Sequence, residues 1–154
     1  HSHDWLQVYA EQAPKNDEAQ LKKDQEATSN DDEKYLIEFL FYKDLYFSER
    51  FQDEGERVLR NVKYNAKLRD AIVASYMGSF DCKKTLHEIS KPILAIAGGL
   101  DRVVFPKHAR EIRTICPKAH YLEFDRAGHF PFIEDRERFN SVVNNFITIT
   151  GGRS

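Results

Sequence analysis

The chain has 154 residues, 41% apolar and 31% charged, with 23 basic against 25 acidic side chains and a formal net charge of −2. That length holds one ordinary domain, or a small domain with part of another, and the near-neutral balance argues against a nucleic-acid partner. No apolar stretch approaches the ~20 residues that span a bilayer, and no basic-then-apolar leader opens the chain, so no membrane association and a cytoplasmic setting are expected.

In chain order, His1-Ser2-His3 reads as a disordered terminus rather than a metal clip. Glu18 to Glu26 alternates charge signs, as a solvated helix face or a loop does. Asn30 through Glu33 can cap a helix, Asn30 accepting from the first turn and Glu33 reaching back. The run from Tyr35 to Tyr42, continuing to Leu45-Tyr46-Phe47, is apolar around most of its circumference. The pattern predicts a helix buried on several sides or facing a ligand cavity. A second helix is predicted from Glu56 to Met77, with Leu59, Val62, Ala66, Val73 and Met77 on one stripe. Cys82 and Cys116 have neither metal-ligand nor disulfide-framework spacing, so both read as reduced and structural.

From Lys91 the texture changes. Pro92 to Ala97 is a continuous apolar run ended by Gly98-Gly99, the pattern of a parallel strand covered on both faces. Lys107 to Ile115 predicts a short amphipathic helix stopped by Pro117, and His120 to Phe124 a second strand. A final helix from about Arg136 carries Phe139, Val142, Val143, Phe146 and Ile147 at helical spacing. Strand, helix, strand, helix implies parallel neighbours. Two strands and two helices cannot cover both faces of the first strand, and its second edge is left open. The chain therefore requires a partner sheet, a second copy being one candidate.

Each predicted strand ends in a distinctive loop: Gly98-Gly99-Leu100-Asp101-Arg102-Val103-Val104-Phe105-Pro106 after the first, Ala127-Gly128-His129-Phe130-Pro131-Phe132-Ile133-Glu134 after the second. Alone, Asp101 would be a turn residue and His129 a loop residue. Together with Ile89-Ser90-Lys91-Pro92-Ile93-Leu94 and the later Phe139 and Val143, these stretches resemble the C-terminal end of α/β-hydrolases of the proline iminopeptidase branch. The resemblance implies an α/β architecture: a helical cap over residues 1–88, a C-terminal core portion with two parallel strands and flanking helices over 89–150, and a tail at 151–154. It also implies two thirds of a catalytic triad. His129 would move the proton of a serine hydroxyl, imidazole being suited to that near neutral pH. Asp101 would hold the ring in the right tautomer and stabilise its charged form. The glycines beside them would let the backbone turn sharply.

The third member is missing: no Gly-x-Ser-x-Gly occurs in the sequence, and Ser79, with one glycine and after a helix, is no substitute. The expected activity is hydrolysis of a small peptide, amide or ester, without metal or organic cofactor. It would be realised only with the half of the hydrolase that carries the serine, so this chain alone is expected to be inactive. Carbon–carbon hydrolases, haloalkane dehalogenases and esterases share these end motifs. The competing reading is a non-catalytic module that dimerises through its apolar strand and helices. His87, His108 and His120 read as structural or solvent-facing. Glu134 reads as structural, an acid near a helix N-terminus favoured by the dipole. The Tyr35 to Phe47 aromatics read as packing rather than as the lining of a substrate pocket.

Overall fold

The computed structural model describes residues 18–76 and 83–151. Met77, Ser79, Cys82 and the histidines at positions 1 and 3 lie outside these. The chain forms two compact units, one of residues up to 45 and 49–80, the other of residues 46–48 and 81 onward.

The first unit is helical. Helix α1 (Glu18–Glu26) is held on its surface by Gln20–Asp24 and Lys22–Glu26 pairs. Asn30 caps α2 (Asp31–Phe41), its side chain accepting from the amides of Asp32 and Glu33 at 3.0 and 3.3 Å. Glu33 does not close the expected capping box: its carboxylate takes the Thr28 hydroxyl at 2.5 Å, and Thr28 in turn accepts from the Asn30 amide. The apolar residues of α2 are half-buried rather than buried. Their rings share cover with α2's neighbours, Phe39 against Tyr64 and Tyr35 under the Arg69 guanidinium. A break at Tyr42 leads to the short α3 (Lys43–Tyr46).

The single helix predicted from Glu56 to Met77 is two. After a 3-10 turn (Glu49–Phe51), α4 (Gln52–Asn61) ends where Val62 turns extended, and α5 (Ala66–Tyr76) begins after it. Side chains made the break. The Asn61 side-chain amide donates back to the Arg57 carbonyl, the Tyr64 hydroxyl donates to the Leu59 carbonyl, and the Asn65 side-chain oxygen accepts from the amide of Leu68. Asn offers the backbone such local partners in place of helix continuation. The predicted stripe therefore loses its register: Leu59 and Ala66 are buried, while Val62 and Val73 are exposed.

In the second unit, α6 (Lys83–Leu86) precedes β1 (Leu94–Gly98), α7 (Pro106–Ile115), β2 (His120–Phe124), a one-turn α8 (Pro131–Glu134) and α9 (Arg136–Gly151). The strands run parallel, with Leu94 opposite His120 and Gly98 opposite Phe124. Pro92 lacks an amide hydrogen and stays outside the strand, which starts two residues later than the apolar run. Ala95 and Ala97 are buried, but Leu94 and Ile96 are half-buried, so β1 is not covered on both faces. Among the described residues β1 has one hydrogen-bonded neighbour, β2. Phe124 anchors the end of β2 at 1% exposure, against Phe139 and beneath the Arg138 guanidinium. The apolar positions of α9 are half-buried at best, and Ile147 is exposed. Cys116 is a free thiol donating to the Leu86 carbonyl at 2.9 Å, a packing role. No described helix is long and apolar enough to cross a membrane.

Candidate active site

Parallel pairing brings the C-terminal ends of β1 and β2 side by side, and the loops that follow are joined backbone to backbone. The Gly99 amide donates to Phe124 O at 2.8 Å and the Leu100 amide to Ala127 O at 2.9 Å. No glycine at these turns needs a positive φ. What requires glycine is proximity. A Cβ on Gly98 would stand 1.8 Å from the Gly128 carbonyl oxygen, and one on Gly99 2.8 Å from Asp125 backbone. Loops this close leave no space for a methyl group. Glycine is required here by close approach rather than by a positive φ.

The same pairing sets Asp101 beside His129. Asp101 is 7% exposed and uses both carboxylate oxygens. Oδ1 accepts from the amides of Val103 and Val104 at 2.8 and 2.9 Å, and Oδ2 lies 2.9 Å from His129 Nδ1. The two amides fix the carboxylate's rotation, so its second oxygen has one direction to face. An ionised carboxylate only accepts, which makes Nδ1 the donor and leaves Nε2 as the basic nitrogen. The imidazole is partly exposed, at 29% of its side chain. Tyr46 meets it edge-on with centroids 5.7 Å apart, and Phe130 likewise at 4.8 Å. Phe130 also stacks on Tyr46 and packs against Phe47 and Phe132. The aromatic rings pack against an imidazole that stays partly exposed.

Two features beneath the histidine were not legible in the sequence. The His129 amide donates to Tyr46 O at 2.6 Å. Glu134, 3% exposed, accepts from the Gly128 amide at 2.8 Å, the Ser48 amide at 3.1 Å and the Ser48 hydroxyl at 2.5 Å. Glu134 is structural as expected, but through these three donors rather than a helix dipole. An acid closing the apolar run Phe130 to Ile133 was the available signal. Nothing pointed to Ser48. The other histidines lie elsewhere: His87 near Glu88, His108 near Glu111, and His120 against the Phe146 ring.

Comparison with known proteins identifies the family of the fold. A family profile described as the α/β-hydrolase fold matches residues 3–136. A proline iminopeptidase of Heyndrickxia coagulans is 29% identical over 75 residues, 49% of this chain and 26% of that protein. A pimeloyl-[acyl-carrier protein] methyl ester esterase of Vibrio cholerae is 32% identical over 72 residues, 47% of this chain and 28% of that enzyme. An esterase structure from Exiguobacterium antarcticum superposes with a TM-score of 0.57 at 19% identity, over 84% of this chain and 48% of that one. The chain thus spans about half of the esterase fold, and its matched segments little more than a quarter of the two enzymes. A profile running through most of the sequence, a shared fold and the paired strand-end loops lead to one conclusion: this chain belongs to the α/β-hydrolase fold family.

Proposed function

We propose that this chain contributes the acid and the base of a serine-hydrolase triad, with the nucleophilic serine supplied from outside these residues. The observation that carries the reading is the buried Asp101 carboxylate, pinned by two amides and facing His129 Nδ1 at 2.9 Å. In this reading His129 Nε2 takes the proton of a serine hydroxyl as its oxygen attacks an acyl carbonyl. The same nitrogen then hands that proton to the departing amine or alcohol, leaving an acyl-enzyme. Water, deprotonated by Nε2, releases the acid and restores the serine. Asp101 stabilises the transient imidazolium without taking its proton. The substrate is a small peptide, amide or ester, supported by relatives named as an iminopeptidase and a methyl ester esterase. The helical residues belong to a cap segment within 1–88, and the serine enters on a partner segment carrying Gly-x-Ser-x-Gly.

A serine-directed fluorophosphonate probe tests this. The chain alone should not label, and co-expression with the serine-bearing half of such a hydrolase should produce labelling on that half. Labelling of the isolated chain at one of its own serines would sink the proposal. So would near-full activity of the assembled enzyme carrying His129→Ala.

One observation favours a second reading, self-association. β1 has a single strand neighbour among the described residues, and its Leu94 and Ile96 are only half-buried. Sedimentation of the chain alone decides it: a dimer that Ile96→Lys dissociates supports association through the apolar face of β1, and a monomer rejects it.

A further inference from the structure

We infer that Glu134 is the positioning residue of the base: its carboxylate sets the angle at which His129 meets Asp101. The inference rests on the proposed role of that pair and extends it to a residue that touches neither.

Glu134, buried at 3% exposure, sits where three donors converge. Oε1 takes the Gly128 amide, the residue just before His129, at 2.8 Å. Oε2 takes both the amide and the hydroxyl of Ser48, 86 residues away in sequence. Tyr46, two residues before Ser48, receives the His129 amide on its carbonyl at 2.6 Å. The two peptide units that flank Gly128 are therefore tied to one short segment, Tyr46–Ser48. One tie is direct and the other runs through Glu134. Gly128 is also wedged between these groups. A Cβ there would come within 2.4 Å of Tyr46 O, 3.0 Å of Glu134 Oε1 and 3.1 Å of Ser48 N. A segment gripped on two sides at this distance cannot rotate without breaking a buried hydrogen bond. Its rotation is what would swing the imidazole off Asp101 Oδ2.

The chemistry selects a carboxylate. All three groups facing Glu134 donate, and only an acceptor at both side-chain atoms satisfies them. A glutamine of the same shape would present its NH2 to Gly128 N–H or to Ser48, a donor against a donor whichever way the amide is turned. A buried donor left without an acceptor loses its solvation with nothing in return, which loosens the loop it belongs to.

The tautomer of His129 provides the test, because it responds to the Asp101 contact and not to stability as such. Long-range 1H–15N correlations on the full chain labelled with 15N-histidine distinguish Nδ1–H from Nε2–H. The wild-type chain should show the Nδ1–H form and Asp101→Asn the Nε2–H form that imidazole prefers in water. Glu134→Gln should keep the helical circular-dichroism signal yet move His129 most of the way to Nε2–H. Ser48→Ala, which removes one of the three donors and keeps the Gly128 tie, should move it part of the way. An unchanged tautomer in a folded Glu134→Gln chain overturns the inference while leaving the Asp101–His129 pair intact. If Glu134→Gln does not fold, Ser48→Ala decides in the same way: a partial shift supports the inference and none overturns it. A wild-type histidine already in the Nε2–H form, or one indifferent to Asp101→Asn, overturns the pair and this inference together.

Discussion

Asp101 and His129 stand 28 residues apart in sequence and meet at 2.9 Å, with the carboxylate's other oxygen held by the amides of Val103 and Val104. The pair is pre-organised, since the carboxylate cannot rotate away without breaking both amide bonds. It needs no rearrangement to hold the imidazole with Nε2 basic.

Asp101→Asn keeps a side-chain oxygen for those two amides, so the loop should survive. The asparagine nitrogen would then face His129 and favour the wrong tautomer. In the proposed assembly with a serine-bearing half, kcat should fall ~10⁴-fold with little change in KM. Steady-state kinetics on a chromogenic ester decide this, and an unaltered kcat removes Asp101 from the mechanism.

Gly98→Ala sets a methyl group against backbone alone, 1.8 Å from Gly128 O and 2.6 Å from Ala127 O. Backbone cannot step aside as a side-chain tip can, so the two strand-end loops must part. The expected loss is on the order of 3 kcal/mol, near the upper end for overpacking, read as a lowered urea midpoint. Gly151, at the end of α9, has nothing within 4 Å of an added Cβ. There alanine should leave stability unchanged or raise it by less than ~1 kcal/mol.

Two carboxylates should respond to pH with opposite signs. Burial raises Glu38 above its ordinary 4.5, so the native state holds that proton more tightly than the unfolded one. Its contribution is fully present below 4.5 and is lost as pH climbs through the higher native value. Glu38→Gln should therefore raise the urea midpoint at pH 7 and have no effect in acid. Glu123 is lowered, first by the Tyr121 hydroxyl at 2.5 Å and then by the Arg110 guanidinium, burial opposing. Its contribution is present above 4.5 and is lost as pH falls through the lower native value. Glu123→Gln should lower the midpoint at pH 7, with the difference closing in acid. Matching responses in both variants would contradict these environments.

Much of this protein was legible from local pattern. The second strand, His120–Phe124, and the start of the last helix at Arg136 fall where the sequence places them, because residue type and periodicity act over a few neighbours. The acid and the histidine were legible as a pair because each closes a strand with a recognisable loop. Where side-chain caps competed with periodicity, as at Asn61 and Asn65, an apolar stripe misled, and one predicted helix became two. Only the tertiary structure decided how Asp101 meets His129 and what holds them there. Parallel pairing abuts the two loops, Gly98 and Gly128 allow their contact, and Glu134 gathers donors from Gly128 and from Ser48. The cause is physical: hydrogen bonds between residues distant in sequence leave no periodicity, and the need for glycine comes from a neighbour's backbone that only the folded chain brings near.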